Sequence, residues 1–235
     1  VPVKEHGRKV VCHHAGAASE EASWLAGEMA RLHTEGVAYR EMTVLYRAHY
    51  ITRSIEEQLL KAEIPYTIYS GVQFFARREI KDALSYLRLL AYRDDLSLLR
   101  VVNVPKRNIG QRRRKFLTEY AEEHGLTLYE AMQASIEDPI WKGTQARAFL
   151  KLVDDLAEVS TGASVSEVLA GVLDRSGYEA MLRTEGSQMR LDNLAELKQS
   201  VYAYETTCGE ESTLEHYLAH VALFTNADLD DPRDQ

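Results

Sequence analysis

Residues 66–89, YTIYSGVQFFARREIKDALSYLRL, mark the point where the chain changes its hydrophobic period. A short β-type run enters a turn, then come two aromatics, a basic pair and a helical pattern. Strands repeat every two residues and helices every 3.6, so a sequence can satisfy only one period at a time. Upstream of this stretch the two signals alternate; downstream nearly every segment is helical. One switch of this kind predicts α/β architecture followed by all-α architecture, with the boundary near Ser70–Gly71.

The upstream half carries three strand candidates and two helix candidates. Val10 to His14 reads as a strand with His13 and His14 at its rim, and Thr43 to Tyr46 is short enough for a buried strand. Tyr66 to Tyr69 is the third. Between them, Ser19 is a candidate cap for a helix with Ala22, Leu25, Met29 and Leu32 on one face. Ser54 and Glu57 have capping-box spacing before Ile55 and Leu59, and Pro65 ends that helix. A β-α-β-α-β order implies parallel strands with right-handed crossovers. Three strands are few for an independent α/β domain, so this half is expected to be part of a larger sheet.

Downstream, Ile80, Ala83, Leu84, Leu87 and Leu90 form one apolar stripe, and Phe149, Leu152, Val153, Leu156 and Val159 another. Capping boxes recur at Thr127/Glu130, Ser164/Glu167 and Ser212/Glu215. Gly110, Gly125, Gly143, Gly162, Gly177 and Gly186 punctuate the helices. Residues 226–235 hold four aspartates and Pro232, and read as a frayed acidic tail.

Composition excludes several classes. No apolar run approaches the roughly 20 residues of a membrane helix, and the first residues lack the apolar segment of a signal peptide. Cys12 and Cys208 have no CxxC spacing, which argues against a metal site or disulfide framework and fits a reducing cytoplasm. The eight histidines show no ligand spacing. Asp94-Asp95, Glu122-Glu123 and Asp154-Asp155 are most simply solvated helix faces, and no Ser/His/Asp constellation is present.

The net charge of −8 is unlike the basic footprint of most nucleic-acid binders. Its distribution matters more than its sum, because phosphates respond to local potential. Residues 105–115, PKRNIGQRRRK, hold six cations and no acid; taking those six from the net charge leaves −14 on the rest. Such a segment is either a solvated basic helix face or a polyanion contact. A tight Gly-containing turn at a helix start exposes N–H groups that can cradle a phosphate, as helix-hairpin-helix modules do without reading sequence. Arg112, Arg113 and Arg114 sit poorly with the dipole of the helix they begin unless an anion is present.

Three segments together carry a family resemblance. Residues 66–89 resemble the entry into the accessory 2B subdomain of the UvrD/Rep/PcrA helicases, superfamily 1 motors that walk on single-stranded DNA using ATP. Residues 45–57, LYRAHYITRSIEE, are similar to that family's LYRxNxxSRxxEE segment at a strand end of motor subdomain 2A. Residues 103–110, NVPKRNIG, are similar to its N-x-P-x-R-G-I-G segment, with Asn108 in place of the first glycine; asparagine tolerates positive φ better than other side chains. Weaker matches at 176–182, 190–197 and 214–224 extend the resemblance over essentially the whole chain.

The resemblance implies a partial RecA-like parallel α/β motor subdomain 2A over residues 1–70, a mainly helical 2B subdomain over 71–225, and the acidic tail over 226–235. It implies an ATP-dependent 3′–5′ DNA helicase of genome maintenance and DNA repair. Tyr46, Arg47, His49 and Arg53 would meet single-stranded DNA, with His49 standing where the family usually has asparagine. Lys106, Arg107, Asn108, Ile109, Gly110, Arg112, Arg113 and Arg114 would meet duplex DNA. Arg47 has the alternative of pairing with Glu56 or Glu57, and Phe74-Phe75 that of hinge packing. No G-x-x-x-x-G-K-[ST] loop or DExx strand occurs, so the chain is read as a fragment, inactive alone and without its own cofactor, catalytic residues or metal. ATP and Mg would serve the intact parent. Expected partners are DNA, single-stranded and duplex, and the remaining motor subdomains, with no membrane, in a cytoplasmic and nucleoid-associated setting. Two alternatives remain open: a helicase–nuclease subunit of recombination, and a protein-interaction or autoinhibitory module.

Overall fold

A computed structural model describes residues 9–46, 51–68, 73–209 and 212–226, with backbone alone for 223–226. The chain divides into two units, Val1–Gln73 and Phe74–Gln235.

In the first unit, helix α1 (Ala18–Thr34) and helix α2 (Thr52–Lys61) pack on each other, with a 3-10 turn at Tyr39–Glu41. Ala26, Leu59 and Ile64 are buried together, and Met29, Ala30, Tyr39, Ile55 and Tyr66 lie partly buried against them. Both caps differ from expectation. The α1 N-cap is Ala17, which has no side chain to offer, and Ser19 lies inside the helix. The Glu20 carboxylate instead accepts from the Gly16 N–H at 3.0 Å. Ser54 lies within α2, buried, and Glu57 receives Arg53 at 2.8 Å rather than closing a capping box.

The expected strands are not formed. No described residue is in a strand, so 10–14, 43–46 and 66–68 have no ladder; Tyr69 lies outside the described residues. Val10 and Val11 are exposed, and the ring of His13 stacks on Trp24 with centroids 4.5 Å apart. The physical reason is the non-local character of a sheet. A helix closes its own hydrogen bonds, whereas a strand needs N–H and C=O partners from another segment. The parallel strands expected from the alternating pattern are therefore absent among the described residues, which show no RecA-like sheet, and the described structure is helical.

The second unit is built around helix α3 (Arg78–Tyr92), which packs against a 3-10 turn at Phe74–Ala76 and five helices: α4 (Asp95–Val101), α7 (Ala146–Ser160), α8 (Val165–Arg175), α10 (Gln188–Cys208) and α11 (Leu214–Asn226). Helices α5 (Gln111–His124) and α6 (Leu128–Ala134) pair with each other, and α9 (Tyr178–Thr184) joins α8 to α10. The expected α3 stripe is buried in full, and so are Tyr86 and Leu89 beside it. A helix buried on so much of its circumference must satisfy polar groups inside the core. Asp82 receives Arg100 Nε and the Tyr178 hydroxyl, each at 2.8 Å. Glu79 receives the amide of Asn193, whose Oδ1 accepts from Arg77 at 2.8 Å. Burial, reinforced by the Asp82 carboxylate, pushes the Tyr178 hydroxyl well above its ordinary pKa, so it remains a donor.

Phe74 and Phe75 are buried edge to face, with Arg77 over the Phe74 ring, which is packing rather than a surface for bases. The boxes at Thr127/Glu130 and Ser164/Glu167 form as read. At α11 the cap moves one residue: Thr213 Oγ1 accepts from His216 N, and the Ser212 hydroxyl donates to Gly209 O. On α7 the buried face runs through Ala146, Phe149, Leu150, Val153 and Leu156, leaving Val159 exposed. Two acid pairs are more than solvated. Asp94 caps α4, Asp95 accepts from Leu128 N, and Asp154 accepts from the Tyr129 hydroxyl. Asp155 pairs with Lys151 and Arg175, while Glu122 and Glu123 are exposed as expected. Among the described residues no helix is long and apolar enough to cross a membrane, and none of their His, Cys, Asp and Glu groups could hold a metal ion.

Candidate nucleic-acid interface

The segment between α4 and α5 is held from inside by two residues. Asn103 Oδ1 accepts from the N–H groups of Arg107 (2.8 Å) and Ile109 (3.0 Å), which closes the loop on itself. Arg107 is buried, and its guanidinium donates to the carbonyls of Val101 (3.0 Å), Pro105 (3.3 Å) and Ser176 (3.2 Å), and to the Tyr86 hydroxyl (2.9 Å). It also lies over the Phe149 ring. The Tyr86 hydroxyl in turn donates to Val104 O, and burial pushes its pKa up, so that this donor stays protonated. Ile109 is fully buried. Arg107 and Ile109, expected to meet duplex DNA, instead anchor the loop to the core. Both terminal amino groups of this buried guanidinium are spent on carbonyls and a hydroxyl, so it is not presented at the surface.

Asn108 adopts φ 59°, the left-handed conformation that a glycine would otherwise supply, and its side chain is exposed. Gly110 follows as the N-cap of α5 with extended backbone at φ −80°, so its use is not positive φ. What it lacks is a capping side chain, and a Cβ there would meet nothing within 4 Å. The first amides of α5 thus open to the surface without a side-chain acceptor, the arrangement in which a helix start favours an anion.

Of the six cations in residues 105–115, three are available. Lys106, Arg112 and Arg114 are exposed, and their charged groups have no partner among the described residues. Lys115 is 3.5 Å from Glu119 on the next turn. Arg113 is committed elsewhere. Its guanidinium donates to Ile140 O (2.7 Å), Asn108 O (2.8 Å) and Lys142 O (3.2 Å), and so ties the α4–α5 loop to the turn that precedes α7. The basic run therefore separates into an anchor (Arg107), a staple (Arg113) and an exposed set (Lys106, Arg112, Arg114).

A family model for the UvrD-like helicase C-terminal domain matches residues 2–233. The chain belongs to that family. It is 35% identical over 229 residues to the ATP-dependent DNA helicase PcrA of Staphylococcus epidermidis, covering 94% of this chain and 31% of that protein. It is 34% identical over 230 residues to the ATP-dependent DNA helicase PcrA of Staphylococcus aureus, covering 95% of this chain and 32% of that protein. The chain thus spans about a third of the length of the curated relatives it matches. These relatives place it among the UvrD/PcrA superfamily 1 helicases, as a C-terminal-domain segment.

The other candidate cluster is described only in part. Arg47 and His49 lie outside the described residues. Tyr46 is half-buried, ahead of that gap. Arg53, expected to meet single-stranded DNA, is buried on α2 and pairs with Glu57 one turn on. Sequence reasoning missed Tyr86, Asn103 and the 139–143 turn. Tyr86 is hidden in an apolar helix pattern, and nothing local marks Asn103 as the residue that closes the loop. The turn lies some thirty residues from the basic run, and its one local signal is Gly143.

Proposed function

We propose that this chain is the DNA-engaging part of a 3′–5′ UvrD/PcrA-type helicase. Residues 1–70 belong to motor subdomain 2A and residues 71–225 are the 2B subdomain. In this reading Lys106, Arg112, Arg114 and the open start of α5 hold the backbone of duplex DNA ahead of the motor. Asn108 and Gly110 shape the turn that lets the backbone approach. Arg47 contacts a phosphate of the tracked strand, with Tyr46 and His49 beside it, and Arg53 orders α2 through Glu57. ATP and Mg act elsewhere in the intact protein, on the remaining motor subdomains, because this sequence has no phosphate loop.

The observation that carries the reading is the pairing of a helix start without a side-chain cap with three exposed cations that have no partner among the described residues, in a chain otherwise strongly acidic. Backbone contacts carry no base information, so binding should be sequence-independent and steeply dependent on salt. The test uses the full-length protein with Arg112→Ala and Arg114→Ala combined, titrated on a duplex and on a single strand at several salt concentrations. The log–log slope on duplex should fall by roughly 0.9 for each lost phosphate contact, and partial-duplex unwinding should slow. Single-strand translocation should be spared. An unchanged duplex slope would reduce the segment to a solvated helix face.

A further inference from the structure

The charge run in residues 105–115 ends where the sequence turns acidic, but the surface it forms does not. The 139–143 turn is fastened to the α4–α5 loop from both sides. From one side Arg113 donates to the carbonyls of Ile140 and Lys142. From the other, Asn108 Nδ2 donates to Gly143 O at 3.1 Å, and Gln145 N donates to Arg107 O at 3.1 Å. Four hydrogen bonds therefore join two segments some thirty residues apart in sequence. The carbonyls of the turn face inward to the staple, and Lys142 is exposed with no partner for its ammonium among the described residues.

We propose that Lys142 is a further phosphate-binding residue, and that the duplex surface is a clamp of two loops with Arg113 as its positioning residue. The inference rests on the duplex-binding reading above and deepens it. Lys142 extends the set of Lys106, Arg112 and Arg114 across the seam between the two loops. The two acids that precede it in sequence make contacts of their own. Asp138 is occupied in capping the Pro139–Trp141 turn through Ile140 N at 2.8 Å, and Glu137 pairs with Arg147 at 2.5 Å. The turn itself is pinned to the core by Trp141, whose indole N–H donates to Ser135 Oγ at 3.2 Å. A flexible lysine on a mobile loop would add little to an interface. A lysine whose own carbonyl is held by a guanidinium starts from a fixed backbone, so less ordering accompanies binding.

This account assigns Arg112 and Arg113 opposite roles although they are adjacent. Arg112 acts by its charge at the phosphate. Arg113 acts through the geometry of its donors, which lysine, with one ammonium, cannot reproduce.

The experiment measures duplex affinity against salt in the full-length protein carrying Lys142→Ala, Lys142→Arg, Arg113→Lys, or Arg113→Lys with Lys142→Ala. Lys142→Ala should lower the duplex slope by roughly 0.9, the value for one neutralised phosphate on B-DNA, and leave single-strand binding unchanged. Lys142→Arg should restore it. Arg113→Lys keeps the charge but releases the turn, so it too should lower the slope, and adding Lys142→Ala to it should change nothing more. A Lys142→Ala slope equal to wild type, with the Arg112/Arg114 variant still reduced, overturns this inference and leaves the duplex reading standing. If both variants bind as wild type, the duplex reading falls and this inference with it. Arg113→Lys behaving as wild type overturns the positioning role. Thermal melting of each variant identifies any loss that comes from unfolding, and for such a variant the milder Lys142→Gln takes the place of the alanine.

Discussion

The two units differ in how much of their structure is closed within themselves. In Val1–Gln73 the buried apolar cluster among the described residues is small, Ala26, Leu59 and Ile64 ringed by partly buried neighbours, and its strand-like segments have no ladder. In Phe74–Gln235 a central helix is buried among five others, and even its carboxylates at Glu79 and Asp82 find donors inside. Burial scales with the number of elements that can cover one another, and two helices cover little. The lesson concerns where a sequence signal is sufficient. Helical stripes in the second unit find partners within the same 160 residues, whereas the strand signals of the first call for pairing that no described segment supplies.

The largest effect should come from the anchor of the second unit. Arg107→Met removes donors from the carbonyls of Val101 and Ser176 and from the Tyr86 hydroxyl. At about 1–3 kcal/mol for each group left unsatisfied, a loss of about 3 kcal/mol or more is expected by denaturant unfolding. Duplex affinity should fall with it, through the loss of the loop's shape. A stable variant with normal duplex binding would show that the loop holds its shape without the anchor.

Core truncations sharpen the contrast between units. Phe74→Ala, at a fully buried ring, should destabilise by about 3–5 kcal/mol, whereas Leu59→Ala, with half-exposed neighbours free to collapse, should cost about 2 kcal/mol. Equal losses measured by chemical denaturation would mean that the first unit is as tightly packed as the second.

Smaller still, Tyr178→Phe leaves the buried Asp82 with Arg100 and a distant Arg78 as its cations. A cost of about 1.5 kcal/mol, the lower end for one hydrogen bond to a charged group, is expected because Arg100 still holds the carboxylate.

The least effect should follow from the helix caps. Thr127→Ala removes the cap of α6 at about 1 kcal/mol. It also removes the Thr127 hydroxyl that, after the stronger backbone N–H bond, holds the Glu130 carboxyl below its usual pKa. A carboxylate whose folded pKa is depressed contributes stability above its unfolded pKa and loses it as pH falls through the folded value. Wild type should therefore lose stability relative to Glu130→Gln as the pH is lowered through the acid carboxylate range, and the difference should be constant above it. A difference that grows toward alkaline pH would contradict the cap.

Sequence alone determined the elements whose causes are local. The two capping boxes, the α3 stripe and the tolerance of Asn108 for positive φ depend on neighbours within a few residues, and so could be read in order. The family, too, was legible, because three motifs at fixed spacing carry it. Tertiary structure alone decided which cations are free. Arg107, Arg112, Arg113 and Arg114 are chemically alike and nearly consecutive, yet one anchors the loop in the core, one staples a distant turn and two face solvent. That division depends on what lies thirty to seventy residues away: the carbonyls of Ile140, Lys142 and Ser176. The strands failed for the same reason in reverse. A strand becomes a strand only when another segment supplies its hydrogen bonds, and local pattern cannot say whether one is there.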